Sequence, residues 1–248
     1  MTKISPLLPV ILGENHCIED FFKPNKAVKS DKPSNLQQNE NSNQVQQSLK
    51  QIQLKYTDLF CLEKHEWISD IVIDAYLKIV VNKSPFDIGA TNTYFGQYLD
   101  VENHEKMRQW EGIKPLLEGK FTQFLIPYRT NSHWILFDVA WDDNTITLYD
   151  SLNRPTPSAA KKLKNFLTKN SDKEWKFNKP IVSGQENSND CGVFLIKFSE
   201  YISNGDDPLD VDQKVARKAR KEIKEVLMQH ITDYRLNPPN RKSNQTIK

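Results

Sequence analysis

The stretch HWILFDVAWDDNTITLYDSL, residues 133–152, decides the fold. Residues 133–141 and 145–150 alternate apolar and β-branched side chains with polar ones, and Asp142-Asp143-Asn144 between them are turn formers. That pattern reads as a β-hairpin. His133 opens its first strand and Asp150 closes its second. Working outward, FTQFLIPY at residues 121–128 reads as a strand, and EWKFNKPIV at 174–182 as another. Helical spacing marks WISDIVIDAYLKIVV (67–81), with Ser69 or Asp70 as its N-terminal cap, and TPSAAKKLKNFLTKN (156–170). A further helical patch, 107–119, surrounds Trp110. CGVFLIKFSEYI (191–202) is apolar almost all round, as a central buried helix is. Residues 212–231 place Val215, Ala219, Ile223, Val226 and Leu227 on one helix face, with Lys and Arg on the other as a solvated basic face.

The flanks differ in kind. Residues 23–50 are dominated by Asn, Gln, Ser and Lys, a composition too poor in large apolar side chains to offset the entropy of ordering. Residues 1–55 therefore read as a mostly disordered extension, whose last part, 45–56, could become helical against a partner. Residues 56–232 form the ordered domain and 233–248 a polar tail. Of 248 residues, 38% are hydrophobic and 27% charged, which supports a packed core. The net charge of +2 is too small to make nucleic acid the main partner. No run approaches the roughly 18 apolar residues of a membrane helix, and the first twelve residues lack the form of a secretory signal. Three cysteines (Cys17, Cys61, Cys191) without close spacing argue against a disulfide framework or zinc site, and so for a reducing compartment, cytosol or nucleus.

Such a compartment permits a reactive thiol. A cysteine nucleophile needs its pKa lowered from about 8.5, by a helix N-terminus or a neighbouring imidazolium. Cys191 stands where the apolar helix begins, after the capping-type pair Asn189-Asp190, and Gly192 removes bulk beside the sulfur so that a substrate backbone can approach. Taken alone, its context favours a buried structural cysteine. Its company changes that reading. Of five histidines, only His133 lies on a strand whose hairpin partner ends in a carboxylate, Asp150. Base, orienting acid and a cysteine on a helix make the cysteine-protease form of the nucleophilic triad. Gln185, six positions before Cys191 in a loop rich in Gly, Ser and Asn, could aim its amide at the space faced by the Cys191 N–H, as an oxyanion donor.

His133-Trp134, then Asp150-Ser151-Leu152 seventeen positions on, then Gln185 and Cys191-Gly192, resembles the ubiquitin-like-protein-specific (sentrin/SUMO-specific) protease family of the papain-like clan, which includes bacterial effectors. The likeness runs from about residue 67 to 230. It implies an α+β fold of papain-like type, a central mixed sheet flanked by helices. It implies His133, Asp150 and Cys191 as catalytic triad and Gln185 as oxyanion residue. Trp134 and Trp67 would wall a narrow tunnel for a Gly-Gly C-terminus, and Asp70 would touch the modifier's surface. Simple core packing is the alternative for both tryptophans. TNTYFGQYL (91–99) resembles the stretch that shapes the modifier-binding surface. The loop before Cys191 lacks the Pro often found there.

The function implied is a thiol isopeptidase or endopeptidase that cuts after the Gly-Gly of a ubiquitin-like modifier, SUMO-type or ubiquitin. It would free the modifier from lysine or mature its precursor, as a monomer, without metal or organic cofactor. The Asn/Gln/Lys-rich composition suits a eukaryotic housekeeping protease or, with a slight lean, a bacterial effector acting in a host cell. The runner-up is a clan acetyltransferase using the same Cys–His pair, which the family's Asp-Ser-Leu disfavours. A non-enzymatic modifier-binding protein would be expected to lack one of the four site residues.

Overall fold

The structure is a computed structural model, and it describes residues 54–110 and 113–231. The terminal segments 1–53 and 232–248 lie outside the described residues, and with them Cys17, His16, most of the helix expected over 45–56 and the polar tail.

A 3-10 turn, Tyr56–Leu62, leads to helix α1 (Asp70–Lys83), then β1 (Ile88–Ala90) and three short helices, α2 (Phe95–Asp100), α3 (His104–Gln109) and α4 (Ile113–Leu117). Strands β2 (Gln123–Thr130), β3 (His133–Ala140) and β4 (Thr145–Tyr149) follow, then α5 (Ser158–Asn170) and β5 (Lys176–Asn178). Helix α6 (Cys191–Asn204), a 3-10 turn at Pro208–Asp210 and α7 (Gln213–Met228) complete the elements of the described residues. The sheet order is β1-β2-β3-β4-β5, antiparallel across β2-β3-β4 and parallel at both edges, so the sheet is mixed as expected.

The hairpin stands as read from the sequence, pairing Leu136 with Tyr149 and Ala140 with Thr145. Its alternation sorts side chains between two cores rather than between core and water. Phe124, Ile126, Ile135, Phe137, Val139, Ile146 and Leu148 face α2 to α5, together with Trp110, Leu163, Phe166 and Trp175. Leu125, Trp134, Leu136 and Tyr149 face the opposite core with α1, α6 and α7. Helices covering both faces bury the central strands almost completely.

Three elements depart from expectation. The patch around Trp110 is two helices, because Trp110 itself is extended (φ −64°, ψ 116°) at the end of α3. The strand expected over 174–182 is cut to three residues. The basic face of α7 is not wholly solvated, since Arg220 is buried. Among the described residues no helix is long and apolar enough to cross a membrane, and no cluster of His, Cys, Asp or Glu could hold a metal ion.

Candidate active site

β3 presents His133 at its first residue, and β4 ends one residue before Asp150. At that point the chain turns, the Asn153 N–H donating to Asp150 O at 2.9 Å. The turn aims two backbone N–H groups back at the carboxylate: Leu152 to Oδ1 at 2.9 Å and Arg154 to Oδ2 at 2.8 Å. His133 Nε2 lies 2.6 Å from Asp150 Oδ1, with both side chains buried. Burial would raise the Asp150 pKa, but His133 and the two N–H groups outweigh it and hold the pKa below the usual carboxylate value. An ionised carboxylate only accepts, so Nε2 carries the proton and Nδ1 is left for the sulfur.

Cys191 is the first residue of α6 and is 2% exposed. Burial would raise its pKa, yet the hydrogen bond with His133 and the backbone of Trp134 and Gly192 bring it below the ordinary thiol value. Burial likewise works against a charged His133, and its bonds to Asp150 and Cys191 overcome that, raising its pKa. The two shifts run in opposite directions and favour the same state, a thiolate beside an imidazolium.

The loop before Cys191 is webbed to α7. Asp190, the N-cap of α6, makes no capping bond with its side chain. Its Oδ1 accepts from Arg220 Nε (3.0 Å) and Nη2 (2.8 Å), and its Oδ2 from Asn187 Nδ2 (2.7 Å) and Gln213 Nε2 (2.8 Å). Burial aside, these donors keep its pKa low. The local sequence suggested a helix cap; the carboxylate is instead the hub of the loop. Arg220 also donates to the carbonyls of Cys61, Glu63, Glu66 and Asn189, so one guanidinium ties α7, the segment before Trp67 and the nucleophile loop together. Gln185 sits half-buried in this loop. Its backbone N–H donates to Ser151 O at 2.9 Å and its amide Nε2 to Asn187 O at 2.6 Å. A cavity of about 730 Å³ behind the loop, bounded by Asp190 and Arg220 among others, holds none of His133, Asp150 and Cys191.

The two tryptophans separate. Trp134 is 6% exposed, and its indole Nε1 donates to Ile68 O at 3.2 Å. The Arg129 guanidinium lies 5.7 Å from its ring centroid. Trp67 is 46% exposed, which sets aside simple core packing for that residue. Gly192 has a different reason from the one its sequence context suggested. A Cβ there would lie 2.7 Å from Ile68 Cβ and 3.3 Å from Trp134 Cδ1. What approaches Gly192 is therefore the wall of the site, and glycine lets α6 dock against it. Beyond Trp134 a groove of about 270 Å³ is lined by Asp70, Thr93, Tyr94, Gln97, Asp100 and Arg129 among others. Half-buried Asp74 on α1 fixes this segment, accepting from Thr93 N (2.8 Å) and Thr93 Oγ1 (3.0 Å).

Ser151, Asn187, Gln213 and Arg220 were not singled out from the sequence. Arg220 had a signal: it falls four residues after Ala216 and three before Ile223, on the inner face of α7. Gln213 had none, since its partners Glu186 and Asp190 come from a distant segment; Asn187 bonds within its own loop, where one Asn among several polar residues carries no signal.

A buried thiol heading a central helix, with imidazole and carboxylate from neighbouring strands, is the arrangement of a cysteine-nucleophile enzyme. The model of the Ulp1 protease family, C-terminal catalytic domain, matches residues 66–233, and the chain belongs to that family. It is similar to the sentrin-specific protease 3 of Mus musculus, 28% identical over 71% of this chain and 32% of that protein. The sentrin-specific protease 5 of Homo sapiens is 23% identical over 68% of this chain and 23% of its own length. The chain thus spans about a third or less of the relatives it matches. Its fold resembles that of the Ulp1 protease domain solved in complex with Smt3, the yeast ortholog of SUMO, with a TM-score of 0.67 and 22% identity. That superposition covers 77% of this chain and 95% of that one.

Proposed function

We propose that this chain is a thiol isopeptidase and endopeptidase that cleaves after the C-terminal Gly-Gly of a ubiquitin-like modifier, SUMO-type or ubiquitin. The observation that carries the reading is the 2.6 Å His133–Asp150 pair together with a Cys191 thiol held below its ordinary pKa. Family membership and relatives named as sentrin-specific proteases support hydrolysis rather than acetyl transfer.

In this mechanism His133 Nδ1 takes the proton of the Cys191 thiol, and the thiolate attacks the carbonyl carbon of the terminal glycine. The Cys191 N–H and the Gln185 amide receive the negative oxygen of the tetrahedral intermediate. The C–N bond breaks as the His133 imidazolium protonates the departing lysine amine or peptide nitrogen. Water, deprotonated by His133, then attacks the thioester, and the thiolate leaves. Asp150 keeps Nε2 protonated and the ring in plane throughout. Trp134, seated over Ile68 and Gly192, and exposed Trp67 would form a flat channel that admits glycine and excludes side chains. Asp70 and its groove would meet the folded body of the modifier. A reactive thiolate without a stabilising disulfide partner suits a reducing intracellular compartment.

Covalent capture tests this reading. SUMO-type, ubiquitin and Nedd8-type modifiers carrying a C-terminal electrophile in place of the last glycine carboxylate are incubated with the full chain. At least one is expected to label Cys191 in the wild-type chain and not in Cys191→Ala. Labelling that persists in Cys191→Ala would overturn the assignment of the nucleophile.

A further inference from the structure

Asp150 and Ser151 are adjacent, yet they serve different partners. Asp150 faces His133, whereas Ser151, 1% exposed, faces Gln185 twice. Its carbonyl accepts the Gln185 backbone N–H at 2.9 Å, and its hydroxyl lies 2.7 Å from Gln185 Oε1. The direction of the second bond follows from the far side of the amide. The atom 2.6 Å from the Asn187 carbonyl must be a donor, so it is Nε2. Oε1 therefore faces Ser151, and the hydroxyl must donate. The amide nitrogen carries two hydrogens, and Asn187 O takes one. Asn187 is itself fixed, its side chain bonding Asp190 Oδ2 at 2.7 Å and accepting the Asn189 and Asp190 N–H groups at 3.1 and 3.0 Å. Gln185 is thus clamped at both ends of its amide with one N–H left over.

We propose that Ser151 is a positioning residue for the acyl-transfer step: its hydroxyl fixes the flip of the Gln185 amide so that the second N–H is presented to the oxyanion. This rests on the reading of Gln185 as an oxyanion donor. Without the hydroxyl, Oε1 loses this hydrogen bond, and the long side chain regains rotamers that compete with the productive one. Because Ser151 is buried, water cannot replace the lost donor without cost.

The test compares Ser151→Ala, Gln185→Ala and the double variant in the full chain, on SUMO-type and ubiquitin C-terminal aminocoumarin amides. Loss of a hydrogen bond of this kind lowers kcat roughly 5- to 20-fold. Ser151→Ala is expected to do so with KM within about twofold of wild type. In the Gln185→Ala background the same change should add nothing, and Ser151→Thr, which keeps the hydroxyl, should restore kcat. Alkylation of Cys191 by iodoacetamide should keep its wild-type pH profile in Ser151→Ala, because the thiolate–imidazolium pair is untouched. A shifted profile would place the effect on Asp150 and His133 and overturn the proposal. So would an equal loss in both backgrounds, with Gln185→Ala itself impaired. An undiminished kcat in Gln185→Ala would instead overturn the oxyanion reading on which the proposal stands, and no turnover of either amide by the wild type would overturn the proposed function itself.

Discussion

At the scale of single residues, the chemistry turns on a thiol that is buried and yet acidic. Burial alone would protonate Cys191 and neutralise His133; their mutual hydrogen bond and the Asp150 carboxylate reverse both tendencies. The ion pair therefore persists from below the usual thiol pKa up to the raised pKa of His133. Iodoacetamide should modify Cys191 at pH values well under the ordinary cysteine value of about 8.5. His133→Ala should move the midpoint back toward that value or above it, as the remaining burial penalty is no longer opposed. An unchanged midpoint in His133→Ala would show that the helix N-terminus alone lowers the pKa. Ser151 illustrates the limit of reading such sites from sequence. The His133, Asp150 and Cys191 pattern was legible because chain order and strand ends carry it. Ser151, within Asp-Ser-Leu, carries no such signal, since its partner lies 34 residues away.

At the scale of elements, the nucleophile helix is held from behind. α6 is apolar around most of its surface, so packing against β3 and α1 places it, while its N-terminus is oriented by Asp190 and Arg220. Removing one partner of a buried ion pair leaves the other charge uncompensated, at a cost of about 3–5 kcal/mol. Arg220→Met should destabilise the chain by that order in urea unfolding, and Arg220→Lys should rescue little, because an ammonium cannot span Asp190 and four carbonyls. A loss under about 1 kcal/mol would mean that solvent already screens the pair. The helices and hairpin were legible from periodicity and turn residues. Helix α7 was legible as an element but misjudged at Arg220, since a basic side chain among six Lys and Arg reads as solvated until its position on the inner face is weighed.

At the scale of the molecule, the mixed sheet keeps two cores apart, and the fold desolvates two carboxylates that the mechanism does not use, buried Asp138 on β3 and half-buried Asp74 on α1. Burial, against the Gln123 bond, lifts the Asp138 pKa to about 7; Oδ1 has no partner. Burial, against the Thr93 bonds, lifts Asp74 to about 7 as well. A folded-state pKa above the unfolded value means that the native state binds the proton more tightly, so stability falls as pH rises from about 4 to about 7. His133 adds the same sign near neutrality, whereas Asp150 and Asp190, held low, lose their contribution only below about pH 4. Asp138→Asn should therefore gain stability relative to wild type between pH 5 and 8, on the scale of about 1.4 kcal/mol per pKa unit. A difference independent of pH, followed by denaturant midpoints, would contradict the ionisation account. The central claim, cleavage after Gly-Gly, is tested most directly by mass spectrometry of a modifier precursor bearing a short C-terminal extension. The wild-type chain should release the extension with the new terminus at the second glycine, and Cys191→Ala should release none. Cleavage at another bond, or an intact precursor beside a normally alkylated Cys191, would contradict it.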